Sequence, residues 1–271
     1  MSVTEKNSHS SAEFRDMLIL RYEPIAIKMI ENEEDIPQNA IHPMRDLGKH
    51  MALCQAFAMA RRNKKTIYMD KMSEWCWNPL IGFGFVECRE GTDTFEVVAK
   101  HLGIKDLDAA KAFFAKFPTL PGNKYIGISI APLCSCEFEP DLVLVYCNNA
   151  QLRNLVWAVK NTTGQIVSTQ MDAIDSCVYA CVVPINTGEY RVTLPDIGEY
   201  ERAGADENEI IFSVPGHRID ELLTGLRSFF GNNMGYPQLE RDMTLDFPRP
   251  PFYNELFEIW GLNQGKDWTR Y

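Results

Sequence analysis

Leu142-Val-Leu-Val-Tyr146, followed almost at once by the helical stretch 150–160, is the reading that decides the fold class. The run is apolar without alternation, the pattern of a strand covered on both faces. The helix after it ends at Thr163-Gly164, and a strand leading into a helix is half of a βαβ unit. Working outward, Tyr125-Ile-Gly-Ile-Ser-Ile130 has the same buried-strand texture. Upstream, the spacing predicts helices over 11–22 (capped by Ser11), 46–61, 94–102 and 107–117, with short strands at 25–30 and 66–69. The aromatic, glycine-bearing stretch 75–85 reads as a packed irregular loop. Downstream, 177–183, 190–194 and 210–214 read as strands, and 217–229 as a closing helix with Asp220 and Glu221 at its favourable end. The expected class is α+β, with α/β as the alternative. It would have a mixed sheet, a helix-rich N-terminal half and a strand-rich C-terminal half. Residues 1–12 read as a disordered lead-in, 13–242 as one domain, and 243–271 as an extension rich in proline and aromatics.

The chain has 271 residues, 45% of them hydrophobic, enough for a sizeable core. A net charge of -10 argues against nucleic acid, which is bound by clustered basic surface. The densest basic stretch, Arg61-Arg62-Asn63-Lys64-Lys65, reads as a solvated helix end. No apolar run approaches the roughly 20 residues of a membrane span, and Met1–Ser11 lacks the apolar centre of an export signal. The expected compartment is the cytoplasm. Thiols there are not kept for disulfides, so eight cysteines raise the prospect of metal or redox chemistry.

His50 and Cys54 are four apart on the expected second helix, so both can face one side and share a metal or form a nucleophile–base pair; the competing reading is a buried cysteine and a helix-start histidine. Cys76 lies between Trp75 and Trp77, in a loop suited either to a reactive or ligating sulfur or to packing. Cys134-Ser-Cys136 is a weak metal pattern, Cys177 and Cys181 share one face of a strand or helix, and Cys88 and Cys147 read as packing. Lys28, inside an apolar strand, is either a buried ammonium suited to acid–base or imine chemistry or a side chain reaching out from an edge. Gly82-Phe-Gly84 and Gly261-Leu-Asn-Gln-Gly265-Lys266 fall short of nucleotide-binding motifs, and neither G-x-S-x-G nor H-E-x-x-H occurs.

Pro24-Ile-Ala-Ile-Lys28, Cys54-Gln55 with Ala60, Cys76 with Gly82 and Gly84, and Asp141–Tyr146 leading to Ala150-Gln151 form an ordered set. It continues through Cys177, Thr187-Gly188, Leu194-Pro-Asp-Ile-Gly198, Glu207-Asn-Glu209 and Pro215. Over about Leu18 to Leu226 the chain resembles domain of unknown function 169, a family of archaea and anaerobic bacteria. The resemblance implies a shared fold and marks Cys54, Cys76 and Cys177; it implies no established reaction. Two departures stand out. Cys76-Trp-Asn-Pro79 replaces a Cys-Pro-x-Gly-like turn, and Glu199-Tyr200 follow Gly198 where the family's arginine is expected.

Three readings of function follow. The first is a redox-linked protein or oxidoreductase of anaerobic metabolism, holding an iron–sulfur cluster or other thiolate-bound metal through Cys54, Cys76, Cys177 and His50. One of Cys134, Cys136 or Cys181 is a further candidate ligand. The second is a metal-free enzyme acting on a small aromatic or apolar molecule. Cys76 or Lys28 would be its reactive group, and Trp75, Trp77, Phe83, Phe85 and Tyr125 its lining. The third is a non-catalytic subunit of a larger complex. Expected partners are a small-molecule substrate or a partner redox protein, with homo-oligomerisation left open.

Overall fold

A computed structural model describes residues 1–89, 91–230 and 251–261. The chain divides into two compact units, 1–235 and 236–271. The expected boundary at 242/243 lies outside the described residues, as does most of the expected extension. The described part of the second unit is one helix, Phe252–Ile259.

In the first unit the strands are β1 (Ile25–Ile30), β2 (Ile67–Asp70), β3 (Gly127–Pro132), β4 (Leu142–Cys147), β5 (Arg191–Thr193) and β6 (Ile210–Pro215). They form a six-stranded sheet in the order β2-β3-β1-β4-β6-β5. Every ladder among the described residues is antiparallel, so the fold is α+β and the βαβ unit does not form. The helices are α1 (Val3–Leu18), α2 (Leu53–Asn63), α3 (Trp77–Gly82), α4 (Asp93–His101), α5 (Leu107–Lys116), α6 (Asn149–Thr163), α7 (Ser176–Thr187), α8 (Ile197–Ala203) and α9 (Ile219–Phe230).

β4 shows why the decisive run is apolar throughout. Leu142, Leu144 and Tyr146 pack with α2, α3 and α7 on one face of the sheet. Val143, Val145 and Cys147 pack with α1, α6 and α9 on the other. Side chains alternate across a strand, so helices on both faces demand an unbroken apolar strand, whether its neighbours are parallel or not. No described helix is long and apolar enough to cross a membrane.

Four local expectations are corrected. The stretch 75–85, read as an irregular loop, contains the helix α3. The lead-in is helical from Val3: Ser2 and Glu5 form a reciprocal capping box, and Asn7 Nδ2 donates to the carbonyls of Cys136 and Phe138 at 3.1 and 2.9 Å. That helix buries Asn7, Ser10 and Ser11, small polar residues that leave no apolar stripe to read. The helix expected over 46–61 begins only at Leu53, because Gly48 adopts a left-handed conformation (φ 63°) after a wide turn at Pro43–Leu47. The run 177–183 is helix, not strand: it is buried nearly all round in α7, and periodicity alone cannot separate such a helix from a buried strand.

Candidate functional site

The site is assembled where helices begin. Just before α2, the Met51 amide donates to the Ser73 carbonyl at 2.9 Å and the Met51 carbonyl accepts from Trp75 at 3.0 Å, a short parallel bridge. It lays the chain entering α2 beside the chain entering α3. Cys54, the second residue of α2, therefore meets Cys76, the residue capping α3, in a small cluster with Ala52, Ala58 and Ala203. Cys177, the second residue of α7, is buried beside them, and Cys54 is among the charges that act on its thiol. The Asp196 carboxylate joins two helix starts: Oδ1 accepts from the Glu199 amide in α8 at 2.9 Å, and Oδ2 from the Ser176 amide in α7 at 3.0 Å. A carboxylate suits the positive end of a helix dipole.

Arg202, one turn beyond Gly198 on α8, donates from Nη1 to Cys76 Sγ at 3.0 Å. Gly198 lets Asp196 approach closely: a Cβ there would lie 3.1 Å from Asp196 Oδ1, while Arg202 Nη1 would remain at an ordinary 3.7 Å. The Cys54 thiol donates to the Gly198 carbonyl at 3.7 Å, so two sulfurs lie along one side of α8. Glu74 Oε1 accepts from the amides of Trp75 and Cys76, both at 2.9 Å. Burial nevertheless pushes its carboxyl up to about 7. Behind the thiols, the Tyr146 hydroxyl donates to both oxygens of buried Glu199 at 2.9 and 3.0 Å. Arg61, only 1% exposed, stacks 3.9 Å from the Tyr146 ring and pairs with Glu209 at 2.6 Å. Burial raises Glu199 to about 8 against the pull of that hydroxyl.

All three thiols are pushed up. Burial is the first cause in each case, followed by Glu199 for Cys54, Glu74 for Cys76 and Asp196 for Cys177. Arg202 opposes the rise at Cys76. The resting thiols are therefore protonated, and Cys76, half-buried where the other two are buried, is the one with a guanidinium on its sulfur.

The other sequence candidates fall elsewhere. His50 precedes α2 and is exposed, its ring 4.8 Å from that of Trp75, so the helical His50–Cys54 pairing does not form. Trp75 is 67% exposed. Trp77 stacks on Phe117 at 5.7 Å and Phe83 is fully buried, so the expected aromatic lining is largely core packing. Lys28 stands on β1 in a separate cavity of about 840 Å³ lined also by Tyr125, Glu139, Asp141 and His217; its Nζ is 3.5 Å from the Glu139 carbonyl. Cys136 is buried on the opposite face of the sheet and donates to the Phe138 carbonyl at 3.1 Å. Among the described residues, no group of three or more His, Cys, Asp or Glu side chains is placed to hold a metal ion. The expected thiolate-bound metal has no ready ligand set in this conformation. Glu74, Asp196, Glu199 and Arg202 were not foreseen, although Asp196 ahead of a helix start and Arg202 one turn after Gly198 were legible signals.

No curated protein and no solved structure matches the chain. The family model DUF169, described as uncharacterised ArCR, matches residues 13–225, which carry all three thiols and Arg202. The chain belongs to the DUF169 family.

Proposed function

We propose that the protein is a cysteine-dependent enzyme of the cytoplasm acting on a small organic molecule, with Cys76 as the reacting sulfur. The observation that carries this reading is the Arg202 guanidinium, drawn from a distant helix to 3.0 Å from Cys76 Sγ. A neighbouring cation is what lowers the free energy of a thiolate, the nucleophilic form. Glu74, raised to about 7, is part-ionised at neutral pH and suited to take the thiol proton. Cys54 supplies a second, buried thiol beside it.

All eight cysteines are free, and Cys76, Cys88 and Cys134 are the half-buried ones open to a reagent. Limiting iodoacetamide followed by peptide mass mapping should label Cys76 ahead of Cys88 and Cys134. Equal labelling of the three would remove the case for a special sulfur. Once a substrate is found, Cys76→Ser should abolish turnover at nearly unchanged melting temperature.

The gathering of Cys54, Cys76 and Cys177 favours one second reading: a redox-linked protein holding an iron–sulfur cluster or other thiolate-bound metal. It requires those sulfurs to close on one centre. Iron, zinc and sulfide content of protein purified without air tests it directly, and metal-free protein of full activity would end it.

A further inference from the structure

Two of the sulfurs share one turn of one helix. The Cys54 thiol donates to the Gly198 carbonyl at 3.7 Å, and Cys76 Sγ accepts from Nη1 of Arg202, one turn further along α8, at 3.0 Å. Arg202 folds back over that turn, its Nη1 and Cζ 3.7 and 4.0 Å from where a Cβ on Gly198 would stand. Cys76 is packed against the cluster that holds Cys54, whose other members are Ala52, Ala58 and Ala203. The backbone sets the approach. Met51 and Glu74 form a parallel bridge, and Cys54 and Cys76 follow it within a few residues. Paired chains run about 5 Å apart, inside the Cα separation that a disulfide spans. Cys177 packs in the separate core cluster with α2, α3 and α7.

The two thiols differ in access: Cys76 is half-buried, whereas Cys54 is buried. Oxidation of a thiol follows its thiolate character and its exposure. Of this pair, Cys76 is the sulfur that is open and the one with a guanidinium on it. A stable thioether at Cys76 would leave the inner thiol without a role. A second thiol acts only where the first has become an electrophile, as a sulfenic acid is when a neighbouring thiol condenses with it. A single oxygen atom is also an adduct small enough for a sulfur packed among alanines. Hydroperoxides are the reagents that deliver one oxygen atom to a thiolate.

We propose that Cys76 and Cys54 form a two-thiol centre that reduces a small hydroperoxide. This rests on the reading of Cys76 as the reacting sulfur and names that enzyme's substrate class. The Cys76 thiolate attacks the outer oxygen of ROOH: an S–O bond forms, the O–O bond breaks, and the departing RO⁻ takes up the proton that the thiol released. The products are the Cys76 sulfenic acid and ROH. The Cys54 thiol then attacks the Cys76 sulfur, its proton leaves with the hydroxyl as water, and the Cys54–Cys76 disulfide closes. The two thiols have given up two electrons and the peroxide has gained them. A dithiol reductant restores both thiols by exchange. Once Cys76 is a neutral sulfenic acid its charge no longer acts on Cys54, and Arg202 already lies over the glycine that Cys54 touches. A disulfide made and broken in each cycle is the kind that a reducing compartment accommodates.

The test uses the full reduced chain, tert-butyl hydroperoxide as the oxidant and dithiothreitol as the reductant. One equivalent of oxidant should remove two of the eight free thiols, and non-reducing peptide mapping should find Cys54 joined to Cys76. With dithiothreitol in excess, the chain should consume many equivalents, faster than dithiothreitol alone does. Cys76→Ser should abolish both results, whereas Cys88→Ser and Cys134→Ser should leave them unchanged. Cys54→Ala matches the rest of its cluster; without reductant it should halt at the Cys76 sulfenic acid, captured by dimedone. The inference fails if the thiols survive, if the disulfide joins Cys76 to Cys177 or to any other cysteine, or if folded Cys54→Ala yields no dimedone adduct at Cys76. The map of the unaltered chain is decisive by itself should the Cys54 variant fail to fold. Iodoacetamide labelling of Cys76 is measured separately. Preferential labelling without the disulfide keeps the proposed function and sinks this inference; the disulfide without that preference keeps the thiol pair and sinks the reading of Cys76 as a special nucleophile.

Discussion

Replacing Arg202 by glutamine removes the cation that lies 3.0 Å from Cys76 Sγ and keeps a polar, uncharged and shorter side chain. Two unit charges ~4 Å apart interact by about 4 kcal/mol at an effective dielectric near 20 and about 1 kcal/mol in bulk water. Arg202 is exposed and Cys76 half-buried, so solvent screening places the pair near the lower figure. About 1 kcal/mol is roughly 0.7 of a pKa unit, or about fivefold less thiolate below the midpoint. A more basic thiolate is intrinsically more nucleophilic, which returns about twofold, so the net loss is two- to threefold in rate. The assay is the iodoacetamide rate at Cys76 against pH, followed by peptide mapping. Arg202→Gln should move the midpoint up by roughly 0.7 unit. Glu74→Gln should move it down, since Glu74 is the first charge raising this thiol. An Arg202→Gln profile that overlays the parent, or a Glu74→Gln shift upward, would refute the assignment of the guanidinium as the thiolate's partner.

Other perturbations probe the frame around the sulfurs. Glu74, Asp175 and Glu199 all have raised carboxyls, at about 7, 7 and 8, so the native state holds protons that the unfolded chain releases. Their contribution to stability is complete below the ordinary carboxylate range and is lost as pH rises toward about 8. Urea midpoints should therefore fall from about pH 5 to pH 8, and Glu199→Gln should flatten that slope; a parent slope of the opposite sign would show that these groups do not dominate. Tyr146→Phe strands buried Glu199 without its donor and should cost about 1–3 kcal/mol by chemical denaturation; a loss within error would mean that another group takes its place. Gly216→Ala would put a Cβ 1.8 Å from the Pro140 carbonyl oxygen, so a drop of about 2 kcal/mol or more is expected, and a neutral result would show that the β6 turn can shift.

The legible part of this fold was the part where local pattern and tertiary demand agree. β4 is apolar because both its faces are covered, and its run says so without any partner in view. α5 starts where Asp106 caps it, the Oδ1 accepting from Ala109 at 2.8 Å. The polar start of α1 misled because it buries hydrogen-bonding side chains, and α7 misled because its β-branched run sits in a helix buried nearly all round. Cys54, Cys76 and Cys177 could be marked, but their meeting depends on the bridge at Met51 and on Asp196 joining two helix starts, contacts no local window contains. Arg202 lies outside the residues directly after Gly198, whereas on a helix the residue one full turn on shares its side.

What separates the three thiols is the balance of charge around them. Each lies at the first turn or cap of a helix, where exposed amides favour a thiolate. Each is also desolvated and faces carboxylates, and those effects prevail, since all three are raised. For Cys54 and Cys177 the main charges acting are carboxylates and other thiols, so losing a proton there adds an anion to an anionic surround. For Cys76 the same step is met by a guanidinium already in contact. A reaction through Cys54 or Cys177 would first have to bring in a cation; at Cys76 the fold has supplied one from α8.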